Sequence, residues 1–161
     1  MELVVKYKGE EQVLQFEDKD IISFPRGLVG FADWRRFVLL EDPEEAPVAI
    51  LQCVDNTDIS FLVTDPNYVT SDYCLELAPE DIKELGLTST ERARSVCILT
   101  IRQGPVTVSA NLLAPVVINS DTLVARQVIM ERSEYSTRHP VLVARGKHGN
   151  RRVRSLVAPC A

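Results

Sequence analysis

Histidine is scarce in this sequence: His139 and His148 are its only two histidines in 161 residues. One precedes a proline and the other lies in a basic C-terminal stretch, so neither suits a Ser/His/Asp or Cys/His catalytic centre. Glycine-rich phosphate loops and nucleophile-elbow motifs are absent from the sequence as well. Adjacent acids at positions 44–45 and 80–81 fit solvated surface better than acid–base catalysis. We therefore predict a binding protein and not an enzyme, with no cofactor and no metal ion.

Closely spaced cysteines and long apolar runs are also lacking. Cys53, Cys74, Cys97 and Cys160 form no CxxC pair and no His/Cys cluster at zinc-ligand spacing. The first three have apolar neighbours, which predicts small buried side chains, whereas Cys160 is predicted to be an exposed free thiol. No apolar run approaches the roughly 18 residues of a membrane span. The N-terminus turns charged at once and does not look like a signal peptide, so we expect a cytoplasmic protein.

Charge is divided unevenly along the chain. Residues 1–144 hold all 23 acidic residues and 13 of the 18 basic ones, a net charge of −10, whereas residues 145–161 hold five basic residues and no acid, a net charge of +5. An acidic body repels nucleic acid and attracts basic protein surfaces. We place a domain at residues 1–145 and a basic tail, predicted to be flexible, at residues 146–161.

Short apolar and alternating runs, separated by turn residues, fill most of the chain. They predict about ten to twelve short strands, among them a hairpin of Val48–Val54 and Ile59–Val63. Alternation also predicts strands at Tyr73–Leu77 and Leu123–Met130, and an aspartate cap predicts a helical turn at Asp33–Arg36. This pattern favours a mainly β fold, a small antiparallel β-barrel-like domain or a sandwich.

One short helix is predicted from Pro79 to Gly86. Proline suits the first helical position, Glu80 and Asp81 suit the positive end of the helix dipole, and glycine suits the C-terminal stop. The stretch Thr107–Asn119 contains a predicted alternating strand and then an unbroken β-branched strand. Its polar and breaking residues, Asn111 and Pro115, have no obvious role in a hydrophobic core.

Four motifs resemble those of the flagellar assembly factor FliW family, and they occur in that family's order. They are Phe24-Pro-Arg-Gly-Leu-Val-Gly-Phe31, Phe61-Leu-Val-Thr-Asp-Pro66, Asn111-Leu-Leu-Ala-Pro-Val-Val-Ile-Asn119, and Gln127-Val-Ile followed by Tyr135. The family turn commonly has proline where this chain has Val29, which should loosen that turn slightly.

The resemblance implies a non-enzymatic regulator with two protein partners, flagellin and the RNA-binding translational repressor CsrA. A free factor of this kind binds the repressor and lifts repression of flagellin mRNA. An acidic body suits this role, because it docks on a basic RNA-binding protein and repels phosphate there. A flagellin helix would fit an apolar groove, although no groove is visible from the sequence.

Candidate residues fall into two sets. Acids near strand ends are candidates for partner contact, and Asn111 and Asn119 are candidates either for partner contact or for local hydrogen bonding to the backbone. The acids are Asp55, Asp58, Asp65, Asp72 and Glu76. The second set comprises motif residues expected to shape the backbone: Gly27, Leu28, Gly30, Phe31, Pro66, Pro115, Gln127 and Tyr135.

An alternative function is direct RNA binding through the basic tail and a β-face. Under that interpretation, removal of residues 146–161 would abolish RNA affinity that depends strongly on salt. Under the first interpretation, the purified protein has no RNA affinity of its own yet releases RNA from the repressor.

Overall fold

The computed structural model describes residues 1–7 and 9–142. This part of the chain contains eleven strands, one α-helix and three single 3-10 turns, so the predicted mainly β fold with one short helix is confirmed. The strands are β1 (Glu2–Tyr7), β2 (Glu10–Gln15), β3 (Ile22–Ser23), β4 (Arg36–Glu41), β5 (Val48–Cys53), β6 (Ser60–Thr64), β7 (Ala93–Arg102), β8 (Thr107–Ala110), β9 (Val116–Asn119), β10 (Ala125–Gln127) and β11 (His139–Val141). The helix α1 spans Pro79–Leu85, and the 3-10 turns span Asp18–Asp20, Pro66–Tyr68 and Thr90–Arg92.

Nine of these strands form one antiparallel sheet built around the long strand β7. The sheet runs in the order β10-β9-β7-β6-β5-β4-β3, and β8 pairs with β7 and with β11. The first half of β7 pairs with β9 and its second half with β8, while β6 pairs near its middle. Strands β1 and β2 form a separate hairpin.

The two ends of the main sheet approach each other without forming a strand pair. One isolated bridge joins Ser23 to Val124, and the Ser23 N–H donates to the Leu123 carbonyl over 2.9 Å. Since a single bridge is not a ladder, the sheet is barrel-like but is not closed into a barrel over the described residues.

Two hydrophobic clusters form the core, and β9 contributes to both. Val116 and Ile118 lie in the first cluster, whereas Val117 lies in the second. All four residues of β9 are buried, as expected for an unbroken β-branched strand with both faces covered. In the first cluster Phe24 meets Phe37 edge-to-face, with ring centroids 5.1 Å apart. Asn119, the polar residue at the end of β9, therefore lies against a dense apolar core.

The predicted helix is confirmed. It begins at Pro79, and Gly86 caps its C-terminus in the left-handed conformation. Leu85 is buried and Ile82 half-buried, so the i, i+3 face packs on the sheet. The Asp81 carboxylate accepts from the Ala78 N–H and lies 3.2 Å from the guanidinium of Arg126, which ties the helix to β10.

The predicted strand at Tyr73–Leu77 is wrong, because this segment pairs with no strand among the described residues. Its alternating burial is real: Tyr73 and Leu75 are buried and Glu76 is exposed. Side chains take the place of a partner strand, since the Cys74 N–H donates to the Tyr135 hydroxyl and the Glu76 N–H to the Met130 sulfur. Periodicity correctly predicted which residues face the core but not the hydrogen-bond partner.

Two other predictions of local structure need correction. Only Ala125–Gln127 of the predicted strand Leu123–Met130 is a strand, because its partner β9 begins after Pro115, which has no N–H to donate. The predicted helical turn at Asp33–Arg36 is wrong, because the chain makes a turn only at residues 32–33, where the Trp34 N–H donates to the Phe31 carbonyl, and Arg36 already belongs to β4.

The cysteine predictions are confirmed in part. Cys53 and Cys97 are free and buried, but Cys74 is only half-buried. Cys160 and the tail at residues 146–161 lie outside the described residues. No helix in the described part of the chain is long and apolar enough to cross a membrane.

Candidate functional site

The Phe24–Phe31 motif forms a tight turn that only glycine fits at position 27. Gly27 has φ +65°, and a Cβ there would lie 2.6 Å from the Cα of Ala32. Gly30 has φ +82°, as the third residue of a type II turn requires. Leu28 and Phe31 exchange backbone hydrogen bonds across it, and Leu28 is buried. Both glycines therefore have backbone conformations that a tight turn requires.

Gln127 joins two motifs that lie far apart in sequence. Its Oε1 accepts from the Val29 N–H over 2.9 Å, and its Nε2 donates to the Ala114 carbonyl over 3.1 Å. The first contact uses the N–H that proline would lack at position 29. In this chain the turn thus gains a hydrogen bond where we expected only a loss of rigidity.

Asn111 and Asn119 make local hydrogen bonds to the backbone. The Asn111 Oδ1 accepts from the Ala114 N–H over 3.0 Å. Asn119 is buried, and its Nδ2 donates to the carbonyls of Leu85 and Gly86 over 2.9 and 3.3 Å. Its Oδ1 accepts from the Asp121 N–H over 3.0 Å. Asn119 therefore closes the C-terminal end of α1 against β9.

Three further motif residues are buried or half-buried in the fold. Pro66 is fully buried at the first position of a 3-10 turn, and Pro115 is fully buried as well. Tyr135 stacks on Tyr73 with ring centroids 4.6 Å apart. Burial raises the pKa of the Tyr73 hydroxyl, which donates to the Leu112 carbonyl over 2.6 Å. These aromatic residues hold the segment Tyr73–Leu77, which belongs to no strand among the described residues, on the core.

The five candidate acids lie in two separate groups. Asp55 and Asp58 occupy the turn before β6, while Asp65, Asp72 and Glu76 follow that strand. Five strand residues separate these ends by about 17 Å. The structure therefore does not gather the acids into one compact patch.

Asp55 and Asp65 are the two acids of the set whose carboxylates have side-chain partners within the fold. Asp55 forms a bidentate pair with Arg36, which holds the pKa of that carboxyl below its usual range. Asp65 is only 3% exposed and accepts from the backbone and side-chain N–H groups of Asn67. Burial raises the pKa of Asp65, while those two hydrogen bonds oppose the rise.

The remaining three acids, Asp58, Asp72 and Glu76, are exposed. Among residues 1–7 and 9–142, none of the three belongs to an ion pair. They are therefore the members of the set whose charge is most available to a partner.

An apolar groove lies between the β1–β2 hairpin and the main sheet, with a volume of about 880 Å³. One row of its floor crosses four strands in register: Leu40 pairs with Ile50, Ile50 with Leu62, and Leu62 with Leu99. All four side chains of this row are only half-buried.

A second row of the floor lies toward the free edge of the sheet. Ile101 pairs with Val108 and Val108 with Val141, and all three line the groove. Ile101 is 48% exposed and Leu142, at the lip, is 96% exposed. The groove is therefore open to solvent on this side.

Acidic residues dominate the charged part of the lining. Glu41, Asp42 and Glu45 line the groove together with one base, Lys6, among the described residues. Glu41 is also paired with Arg94 across the neighbouring strands.

Sequence reasoning missed this groove, although β5 carried a signal. Its residues Val48–Cys53 are almost all apolar, so both of its faces are apolar. One face fills the core, and the other, with Ile50, faces the groove. A strand that is apolar on both faces indicates a second apolar surface on the side of the sheet away from the core.

Comparisons with known proteins agree with the motif geometry. The family model described as FliW protein matches residues 7–142. The chain belongs to the FliW family.

Named relatives and a solved structure support this assignment. The flagellar assembly factor FliW of Natranaerobius thermophilus is 34% identical over 147 residues, covering 91% of this chain and 95% of that protein. The FliW of Bacillus licheniformis is 36% identical over 141 residues, covering 88% and 96%. A crystal structure of the flagellar assembly factor FliW superposes with a TM-score of 0.78 at 30% identity, covering 89% of this chain and 98% of that one.

The contacts described for the FliW motifs in this chain stabilise its fold. Gly27 and Gly30 form the turn, Gln127 fastens it, and Asn119 and Tyr135 fasten α1 and the segment before it. The exposed acids and the groove floor lie outside these fastening contacts. Surfaces for binding are therefore to be sought there.

Proposed function

We propose that this chain is a cytoplasmic, non-enzymatic flagellar assembly factor with two protein partners. It binds flagellin and, when free of flagellin, binds the RNA-binding translational repressor CsrA and relieves repression of flagellin mRNA translation. The FliW family match over residues 7–142 is the observation that carries this proposal.

Charge supports the contact with the repressor. A protein that binds RNA presents basic side chains to phosphate groups. Residues 1–144 carry a net charge of −10, which attracts such a surface and repels RNA from it. Antagonism then follows from like-charge repulsion between the docked acidic body and the RNA backbone.

Asp72 and Glu76 are the acids we assign to this contact first. Both are exposed and lie in the segment between β6 and α1. This segment contains no β-strand, so substitutions there disrupt no strand pairing. Asp58 belongs to the same class but lies at the opposite end of β6. Asp55 is already held by Arg36, and Asp65 is buried, so we expect weaker effects from these two.

Charge reversal tests this assignment. We expect the double variant Asp72→Lys/Glu76→Lys to bind purified CsrA on the order of tenfold more weakly, since two exposed ion pairs are worth about 1–2 kcal/mol together. Its melting temperature should stay near that of the parent protein. The matched control Glu10→Lys/Glu91→Lys makes the same charge change at two other exposed positions and should retain most of the affinity.

Three results would contradict the proposal in distinguishable ways. Equal losses in both variants would show that overall acidity, and not these residues, drives binding. An unaffected complex in the first variant would discard Asp72 and Glu76. If the purified protein itself binds RNA with a steep salt dependence, direct RNA binding replaces repressor antagonism.

A further inference from the structure

The groove floor is an apolar surface that the described residues leave partly exposed. Its first row, from Leu40 to Leu99, crosses four strands, and each member is half-buried. Burial of apolar surface is worth about 25 cal/mol per Å². A segment that lays apolar side chains on this floor is therefore stabilised there.

The chain itself leads into this groove. Strand β11 pairs with β8, and its last residue, Val141, lines the groove together with Leu142. The next Cα atom lies about 3.8 Å further along the chain, so residues 143–161 begin at the mouth of the groove. A segment on so short a tether has an effective concentration on the order of millimolar. A separate partner must compete with that concentration, which singles out the chain's own C-terminal segment as the occupant.

This segment has the length and the apolar side chains that the floor requires. The floor extends over six strands from β11 to β4, which at roughly 4.8 Å per interval is about 24 Å. Val153 follows Leu142 by eleven residues, and eleven extended residues reach roughly 36 Å. Val153, Leu156 and Val157 can therefore reach any part of the first row.

The walls of the groove suit an extended segment. Among the described strands, β1 and β2 pair only with each other, and residues 38–41 of β4 pair only with β5. The outer edges of these strands carry backbone N–H and C=O groups that an added strand can use. The C-terminal segment contains Gly146, Gly149 and Pro159, which disfavour a helix.

Charge favours the same occupant. Residues 145–161 carry a net charge of +5 and residues 1–144 a net charge of −10, so the two attract each other. Of the acids that line the groove, Glu41 is paired with Arg94, whereas Asp42 is exposed and belongs to no ion pair among residues 1–7 and 9–142. Asp42 is therefore the lining acid that we expect to meet an arginine of this segment.

We propose that residues 143–161 bind in the groove of their own molecule, with Val153, Leu156 and Val157 on the row Leu40–Leu99. The bound segment competes with any apolar partner for the groove. This inference does not rest on the proposed function, because the segment and the surface belong to the same chain.

Trypsin digestion of the full-length protein tests this contact. Trypsin cleaves after lysine and arginine in accessible chain, so the rate of cleavage measures how often the segment leaves the groove. We expect cleavage at least tenfold slower in the protein than in a synthetic peptide of residues 143–161, as followed by mass spectrometry. The five sites are Arg145, Lys147, Arg151, Arg152 and Arg154.

Two isoleucines provide a matched pair of variants. Ile101 lies in the groove and is 48% exposed, whereas Ile129 is 51% exposed and does not line it. We expect Ile101→Glu to speed cleavage of the C-terminal segment at least fivefold, and Ile129→Glu to leave it unchanged. The melting temperatures of both variants check that the fold is retained.

A second variant changes no residue of the groove. Leu156→Ser/Val157→Ser removes apolar side chains from the C-terminal segment itself, so the groove and the core keep their sequence. It should speed cleavage at Arg145 in the protein at least fivefold. A synthetic peptide with the same two changes should be cleaved there at the rate of the unchanged peptide.

Each other occupant gives a different result. If the parent protein is cleaved as fast as the peptide, the groove is open to a separate partner and the proposal is overturned. Slow cleavage that neither Ile101→Glu nor Leu156→Ser/Val157→Ser relieves would show that the segment is held elsewhere, which also overturns it. Slow cleavage that becomes fast on dilution would place the segment in the groove of a second copy. Protection that is independent of concentration and is lost in both variants, but not in Ile129→Glu, supports the proposal.

Discussion

Replacing Asn119 by aspartate should destabilise the protein strongly at neutral pH and much less in acid. The side chain is 3% exposed and nearly isosteric with aspartate, so packing is preserved. Its Nδ2, however, donates to two carbonyl oxygens at the end of α1, at 2.9 and 3.3 Å. In the aspartate variant, a negatively charged carboxylate oxygen would face both carbonyl oxygens.

The size of the effect follows from the proton that aspartate needs in that position. Holding an aspartic acid protonated at pH 7, about three units above its usual pKa, costs about 4 kcal/mol. The protonated side chain restores one of the two hydrogen bonds, and the other is worth about 1 kcal/mol. We expect the free energy of unfolding to fall by about 3–5 kcal/mol at pH 7, or roughly 10 °C in melting temperature.

The pH dependence has a definite sign. Because the folded-state pKa of the introduced carboxyl would be raised, folded and unfolded chains of the variant are both protonated below the unfolded pKa, and the charge penalty vanishes there. The deficit grows as pH rises through the unfolded pKa of about 3.9 and is complete above the folded pKa.

Urea denaturation of both proteins at pH 5 and pH 7 measures this deficit. Asn56→Asp is the control, because among the described residues the Asn56 side chain hydrogen-bonds only through its Oδ1, which accepts from the Asp58 N–H. A carboxylate keeps that acceptor, so the control should lose little stability at either pH. A deficit below about 1 kcal/mol for Asn119→Asp at pH 7, or an equal deficit at both pH values, would refute the reasoning.

Two further predictions concern the turn and the buried acid. Gly27→Ala should cost about 3 kcal/mol or more, from the positive φ and the 2.6 Å approach to Ala32. Gly30→Ala, with a positive φ and nothing within 4 Å, should cost only about 1–2 kcal/mol, and equal losses in denaturation would contradict this account. Asp65→Asn keeps the acceptor for the Asn67 N–H and removes a carboxylate whose pKa burial has raised, so its stability relative to the parent should improve as pH rises from 4 to 7. A relative stability that falls over that range would show that ionised Asp65 stabilises the fold.

Local sequence signals predicted the secondary structure correctly where residues close in sequence determine it. The β5–β6 hairpin and the helix from Pro79 to Gly86 are examples, since turn residues and caps act within a few positions. The segment Tyr73–Leu77 shows the limit. Its alternation correctly indicated burial, but Tyr135 and Met130 provide its hydrogen-bond partners, and those residues are more than 50 positions away.

The exposure of the candidate acids also follows partly from the sequence and partly from the tertiary structure. The sequence predicted that acids at strand ends are exposed, and this holds for Asp55, Asp58, Asp72 and Glu76. For Asp65 it does not hold, because this buried carboxylate caps the 3-10 turn Pro66–Tyr68 and accepts from the Asn67 N–H. Whether an acid faces solvent depends on the chain that packs beside it, which composition and spacing do not reveal.

The stretch Thr107–Asn119 shows both what the sequence determines and what the tertiary structure adds. Sequence alone determined its two strands, its breaks at Asn111 and Pro115, and its resemblance to a family, since these are properties of residue order. Only the tertiary structure decided that Asn119 closes a helix 33 residues away and that side chains from four strands meet as a groove floor. The physical reason is that hydrogen bonds and apolar contacts depend on distance in space, which strand pairing sets across long separations in the chain.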